Sequence, residues 1–201
     1  MIGYAFLLAL TNNQKDLNNT RVLIIKNFMS YKSCLKGVSN KEMRIVSDLE
    51  FQKKYYFKRE DISHHFSNKK ELVNLLYTLR KKGRISKLNK NKYFLVPIKA
   101  RGGKWTDDPF IIIDEIMEGK DYYIGGWGAA NYWRLTDQLP FRFDVYTTRR
   151  QGKYKILGVE IIFHRTTAKN IHKQATTKKI GDHNFIIQNK KKSEQWIKLR
   201  E

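Results

Sequence analysis

The 201-residue sequence predicts an α+β protein, a winged helix-turn-helix followed by a small α+β domain, and three observations carry that reading. Three helix-like periodicities run from Asn40 to Lys82 and are followed at once by an alternating hairpin. A Gly102-Gly103 seam then separates this segment from a second one in which a short apolar helix precedes alternating strands. Finally, 41% hydrophobic and 13% aromatic residues suffice for buried cores, and the length suits two small units better than one large one.

Each element follows from its own pattern. Met43, Val46 and Leu49, joined by Ile45, recur at helical spacing. Arg59–Phe66 has room for two turns, with Ile62 and Phe66 on one side. Ser67-Asn68 offers N-cap side chains for a third helix, with Glu71 placed to complete a capping box. In that helix Leu72, Leu75, Leu76 and Leu79 form one stripe, and Arg80-Lys81-Lys82 precede a terminating Gly83. The hairpin runs Arg84–Leu88, turns at Asn89-Lys90-Asn91 and returns through Tyr93–Val96.

In the second segment Pro109 suits a first helical position, and Ile112, Ile113, Ile116 and Met117 give a stripe that stops at Gly119. Tyr122–Ile124 reads as a strand, Ala129–Leu135 as a helix, and Phe141–Tyr146 and Ile156–Phe163 as two further strands joined by a turn at Gln151-Gly152-Lys153. The predicted organisation is therefore an N-terminal extension (1–38), a winged helix-turn-helix (39–98), an α+β domain (108–167) and a basic C-terminal tail (168–201) that loses periodicity except around Phe185-Ile186-Ile187.

The formal charge of +21 points to a polyanionic partner. A membrane is the weaker candidate, because the best apolar run, Met1–Leu10, is too short to span and has no preceding positive residues of the kind a signal peptide carries. A single cysteine, Cys34, allows no intramolecular disulfide and no cysteine-based zinc site, which fits the cytoplasm. No cofactor or metal is expected.

Residues 39–100 hold sixteen basic and six acidic residues, a net of +10. Off the leucine stripe lie Lys69, Lys70, Asn74, Tyr77, Thr78 and Lys81, where a recognition helix presents base-reading and phosphate-binding groups. Arg84, Lys87, Lys90 and Lys92 place further cations on the hairpin. These ten are the candidate DNA-binding residues, and Trp127, Tyr146, Arg149 and Arg150 are the candidate protein-partner residues of the second segment.

Catalysis is not expected. Gly125-Gly126 with Asp144 is similar to the Gly-Gly and carboxylate arrangement of nucleotidyltransferases, but Asp144-Val145-Tyr146 lacks the second acid that two metal ions require. Asp144 with Glu160 lacks a nuclease lysine, since Glu160-Ile161-Ile162 holds isoleucine in its place. The five histidines show no metal-ligand spacing and no sequence-adjacent carboxylate partner. RNA binding by a basic, aromatic-rich surface is the main alternative to DNA binding.

The run Leu76–Ile85 with Lys92–Pro97, and the segments Tyr123–Gln138 and Val145–Arg150, resemble AbiEi-type antitoxins over roughly residues 40–167. The resemblance implies a transcriptional autoregulator of an abortive-infection toxin–antitoxin operon. Such a protein binds promoter repeats through its winged helix and opposes a nucleotidyltransferase-like toxin through the domain that follows. After Thr167 the sequence departs from that pattern, with a Lys-rich stretch where the family continues into an acidic, Leu-rich helical segment.

Overall fold

The computed structural model describes residues 37–100 and 107–200. The apolar run Met1–Leu10, the Asn-rich and strand-like segments before residue 26, Cys34 and Gly102-Gly103 lie outside the described residues. The architecture is α+β, with a three-stranded sheet and a mixed six-stranded sheet.

The first part is helix-turn-helix-like in its element order: α1 (Asn40–Phe51), β1 (Tyr56–Lys58), α2 (Arg59–Ile62) running into a 3-10 turn at Ser63–His65, α3 (Lys69–Lys81), β2 (Ile85–Lys87) and β3 (Lys92–Leu95). Ile45, Val46 and Leu49 of α1, Ile62 of α2 and the four stripe leucines of α3 pack into one cluster with Phe57, Ile85, Tyr93 and Leu95. Strand β3 is central, antiparallel to both β1 and β2.

The expected capping box on α3 does not form. Asn68 caps the helix by accepting from the Lys70 amide, while Glu71 pairs with Lys41 of α1 at 2.5 Å. The capping box stands instead on α1, where Ser39 and Glu42 cap each other. Glu42 also accepts from Lys82 at 2.6 Å, fastening the start of α1 to the end of α3. Burial alone would raise the Glu42 carboxyl, but Lys82 and the Ser39 amide and hydroxyl outweigh it and hold the group below its ordinary value.

A depressed carboxylate contributes stability above its unfolded pKa and loses it as pH falls through the lower folded value. Glu42→Gln should therefore cost about 1.5–3 kcal/mol at neutral pH, by loss of charge-assisted hydrogen bonds to a largely buried lysine. The gap in urea midpoint between parent and variant should narrow as pH falls from about 4.3, the ordinary glutamate value, through the depressed folded value; a gap of unchanged size down to about pH 2 would remove the carboxylate from the account.

The second part contains α4 (Pro109–Met117), β4 (Tyr122–Gly125), α5 (Gly126–Tyr132), β5 (Arg142–Thr147), β6 (Gly152–Ile156), β7 (Val159–Arg165), α6 (Ala168–Gln174), β8 (Ala175–Ile180), β9 (His183–Gln188) and α7 (Lys190–Lys198). The sheet order is β6-β7-β5-β4-β9-β8, with β5–β7 and β4–β9 parallel and the other pairs antiparallel.

Two expectations are corrected. The single strand expected over Ile156–Phe163 is broken by Leu157 and Gly158, both at positive φ, which reverse the chain into the β6–β7 hairpin. The stretch 168–201, expected as a basic tail, folds over residues 168–198 as two helices and a hairpin. Its Phe185 and Ile187 reach zero exposure beside Tyr122 and Ile124, so this stretch completes the sheet's core.

The hairpin β2–β3 is shared between the two parts. Residues alternate along β3, so that Tyr93 and Leu95 join the helical cluster while Phe94 and Val96, with Leu88 and Ala100, join the cluster of Ile112, Ile116 and Phe185. Polar contacts follow the same seam. Lys92 pairs with Glu115, Tyr154 donates to the carbonyls of Leu88 (3.0 Å) and Lys87 (3.2 Å), and Tyr56 donates to Asp107. Beneath Glu115, Asp114 accepts from the buried Tyr122 hydroxyl (2.6 Å) and meets His183 Nε2 (2.9 Å).

Candidate nucleic-acid interface

Helix α3 is held from below by its leucines and from one flank by α1, through the Lys41–Glu71 and Lys82–Glu42 pairs. At 100° per residue, Lys70, Asn74, Tyr77 and Lys81 then fall opposite the leucines. All four are exposed, Tyr77 to 63%. Thr78 lies toward the α1 flank, half-buried, and its hydroxyl donates to the Asn74 carbonyl at 2.9 Å. It therefore stands apart from the outer face the sequence grouped it with.

The other flank of α3 opens onto the hairpin. Arg59, Val73, Tyr77, Arg80 and Lys87 line a shallow cleft floored by Tyr93, whose hydroxyl accepts from Arg59 Nε at 3.3 Å. Lys69 sits at the helix N-terminus, where a second cleft is lined by Arg59, Asn68, Lys69 and Asn91. Arg59 and Arg80 were not among the sequence candidates. Arg80 was read only as a helix-terminating charge and Arg59 only as part of a short helix, and nothing local signals that both border the same cleft.

The hairpin cations divide. Lys87 and Lys90 are exposed, and Arg84 is half-buried at the base. Lys92 does not belong to a free basic tip: its side chain is 15% exposed and paired with Glu115. The tip itself is docked, because Asn89 Nδ2 donates to Glu118 (3.0 Å) and to the Ile116 carbonyl (3.4 Å).

The four partner candidates are not brought together. Tyr146 stacks between Tyr123 and His164, on the sheet face opposite Phe163. Trp127 packs edge-on against Trp196 of α7, with ring centroids 5.1 Å apart. Arg149 is clasped by Asp121 (2.9 and 3.2 Å) and the Met117 carbonyl, and Arg150 lies over the Phe163 ring at 3.7 Å.

One polar pair was missed by the sequence reading. Asp144 meets His164 Nε2 at 2.7 Å, because parallel pairing of β5 and β7 sets Tyr146 opposite His164 and leaves Asp144 one diagonal step away. A twenty-residue separation carries no local signature of that contact. Glu160 shares this sheet face but lies opposite Arg142. Among the described residues, no three His, Cys, Asp or Glu side chains converge into a metal-binding group, and no helix is long and apolar enough to cross a membrane.

No protein-family model matches the chain, and no curated protein matches it in sequence. In three dimensions the chain is similar to the crystal structure of the RV2827C protein from Mycobacterium tuberculosis, with a TM-score of 0.51 and 16% sequence identity. The match covers 70% of this chain and 50% of that one, so the chain spans about half the length of that protein. The likeness is one of fold.

Proposed function

We propose that residues 39–98 act as a winged helix-turn-helix that binds duplex DNA upstream of the chain's own operon and represses it. The observation that carries this reading is the outer face of α3, where Lys70, Asn74, Tyr77 and Lys81 are exposed side by side while the opposite face is fully packed. An asparagine can pair with both adenine edge groups in a major groove, lysines flanking it meet phosphate or guanine, and a helix N-terminus favours a phosphate. Arg59, Arg80 and Lys87 add positive charge on the hairpin side.

In this reading the protein is a binding protein rather than an enzyme, and works in the cytoplasm. The AbiEi-type resemblance extends the proposal to an antitoxin role, with the second unit opposing a nucleotidyltransferase-like toxin encoded in the same operon. The protein would then couple repression to neutralisation through the seam at β2–β3.

The test is binding of the full chain to its upstream duplex, compared with scrambled duplex and RNA. Asn74→Ala should lose about 1–3 kcal/mol on the upstream duplex alone, the worth of one bidentate base contact. Lys70→Ala should weaken both duplexes and lower the salt slope by about 0.9, the signature of one phosphate contact. Equal binding to RNA and to any duplex, unaffected by Asn74→Ala, would replace this reading with RNA or general polyanion binding.

A further inference from the structure

The turn of the β2–β3 hairpin is both closed and docked by one side chain. Asn89 Oδ1 accepts from the amides of Asn91 (3.0 Å) and Lys92 (2.9 Å), which closes the turn. Its Nδ2 faces the other way and donates to Glu118 Oε1 (3.0 Å) and to the Ile116 carbonyl (3.4 Å), at the C-terminal end of α4. Both halves of the amide are therefore committed, one to the shape of the tip and the other to its seat on the second part. Lys90, exposed between Asn89 and Asn91, is carried on that turn.

The end of α4 receives the tip with groups a helix leaves unpaired. An α-helix gives its last carbonyls no intrahelical partner, and here Asn89 serves Ile116 while Arg149 Nη1 serves Met117 at 3.1 Å. Glu118 follows at a φ of +60°, a left-handed backbone that a residue with a Cβ adopts at a cost, and its carboxylate is the group that meets Asn89. The body of the hairpin is held by other contacts. Leu88 is buried in the core of the second part, Tyr154 donates to the Lys87 and Leu88 carbonyls, and Lys92 pairs with Glu115. Breaking the contact between Asn89 and Glu118 thus frees the tip and leaves the fold in place.

We infer that Asn89 and Glu118 are positioning residues for duplex binding: the end of α4 holds the hairpin tip, and Lys90 with it, in the pose that meets the duplex, while Glu118 itself touches no DNA. The inference rests on the duplex-binding reading above. A tip seated in advance spares the complex the cost of ordering it. If the released tip is seated about one-tenth of the time, the apparent affinity falls about 10-fold, because it scales with the competent fraction. By linkage, bound duplex holds the hairpin on α4 by the same factor.

The experiment measures binding of the full chain to upstream and scrambled duplex over a range of salt. The variants are Glu118→Gly, which suits the left-handed backbone and removes the acceptor, Asn89→Ala, and the two together. Charge and position predict opposite signs at Glu118. Removing a carboxylate from a protein that binds a polyanion favours binding on electrostatic grounds alone, so Asp137→Asn, at an exposed acid of the loop before β5, should bind at least as tightly as the parent. Loss of the seat should instead weaken Glu118→Gly about 10-fold on both duplexes. The salt slope should not change, because no phosphate contact is deleted. The double variant should bind no more weakly than Asn89→Ala alone, the non-additivity of two residues that share one contact. Glu118→Asn, whose shorter side chain also tolerates a left-handed backbone, should repeat the loss and guards against an unfolded glycine variant. If both Glu118 variants bind as tightly as Asp137→Asn while Lys70→Ala still lowers the salt slope, the positioning role is overturned and the helix-turn-helix reading stands. If the parent binds duplex no better than RNA, the helix-turn-helix reading fails and takes the positioning role with it.

Discussion

Replacing Phe94 with alanine should destabilise the protein by about 3–5 kcal/mol, the usual cost of removing a buried aromatic ring from a packed core. Phe94 has zero exposure, and its ring lies 5.1 Å from Tyr56 on one side while joining the cluster of Ile112, Ile116 and Phe185 on the other. The residues before and after it, Tyr93 and Leu95, point into the helical cluster. A cavity at Phe94 therefore opens at the join between the two parts, where β3 is a wall of both cores.

This makes the prediction sharper than a simple loss of stability. Of the four tryptophans, Trp127, Trp133 and Trp196 lie in the second part and Trp105 lies outside the described residues, whereas helices occur in both parts. Tryptophan fluorescence therefore weights the second part, while far-UV circular dichroism sums the helices of both. In the parent the two urea transitions should coincide, and Phe94→Ala should move both midpoints down together, by about 2 M if m is about 2 kcal/mol/M. A fluorescence midpoint that stays put while the dichroism midpoint falls would show two independent units, with the seam contributing little.

The sequence made legible those elements whose signal is local. Helix α3 was readable because four leucines at i, i+3, i+4 and i+7 need only one packed face, and α4 because Pro109 and Gly119 bracket an isoleucine stripe. Strand β1 was not, since three residues are too few to show alternation and its partner β3 lies about 36 residues away. The β8–β9 hairpin was hidden by its own solution to the edge problem. Lys178 and Lys179 on the outermost strand look like a solvated tail, yet lysine is what discourages an exposed edge from pairing with another chain.

The candidate interface was legible to the same degree. Lys70, Asn74, Tyr77 and Lys81 could be placed by subtraction from the leucine stripe. The fates of Lys92 and Arg149 could not, because Glu115 and Asp121 lie 23 and 28 residues further along or back in the chain and only the tertiary fold brings them into range. Counting basic residues therefore overstated the cations free for DNA on the hairpin, and missed Arg59, which lines two clefts beside α3 from a different helix.

The second large effect is expected at Gly126. Its φ of +59° is left-handed, and a Cβ built there would stand 2.5 Å from Asp144 Oδ2. Alanine would meet the αL penalty of about 1–2 kcal/mol and the cost of an overpacked contact, about 1–3 kcal/mol more, because Asp144 is already committed to His164 at 2.7 Å. The Gly-Gly and Asp144 pairing that is similar to a nucleotidyltransferase signature thus has a packing explanation, in which the first turn of α5 lies directly on the start of β5. Gly83 separates the two costs: its φ is +71° with nothing within 4 Å of a Cβ, so Gly83→Ala should meet the backbone penalty alone. Thermal unfolding should therefore rank Gly126→Ala well below Gly83→Ala, and Asp144→Ala should recover part of the difference in a double-mutant cycle. Equal losses at the two glycines, or no coupling to Asp144, would mean that backbone strain is the whole effect and that α5 does not need the close approach to hold its place on the sheet.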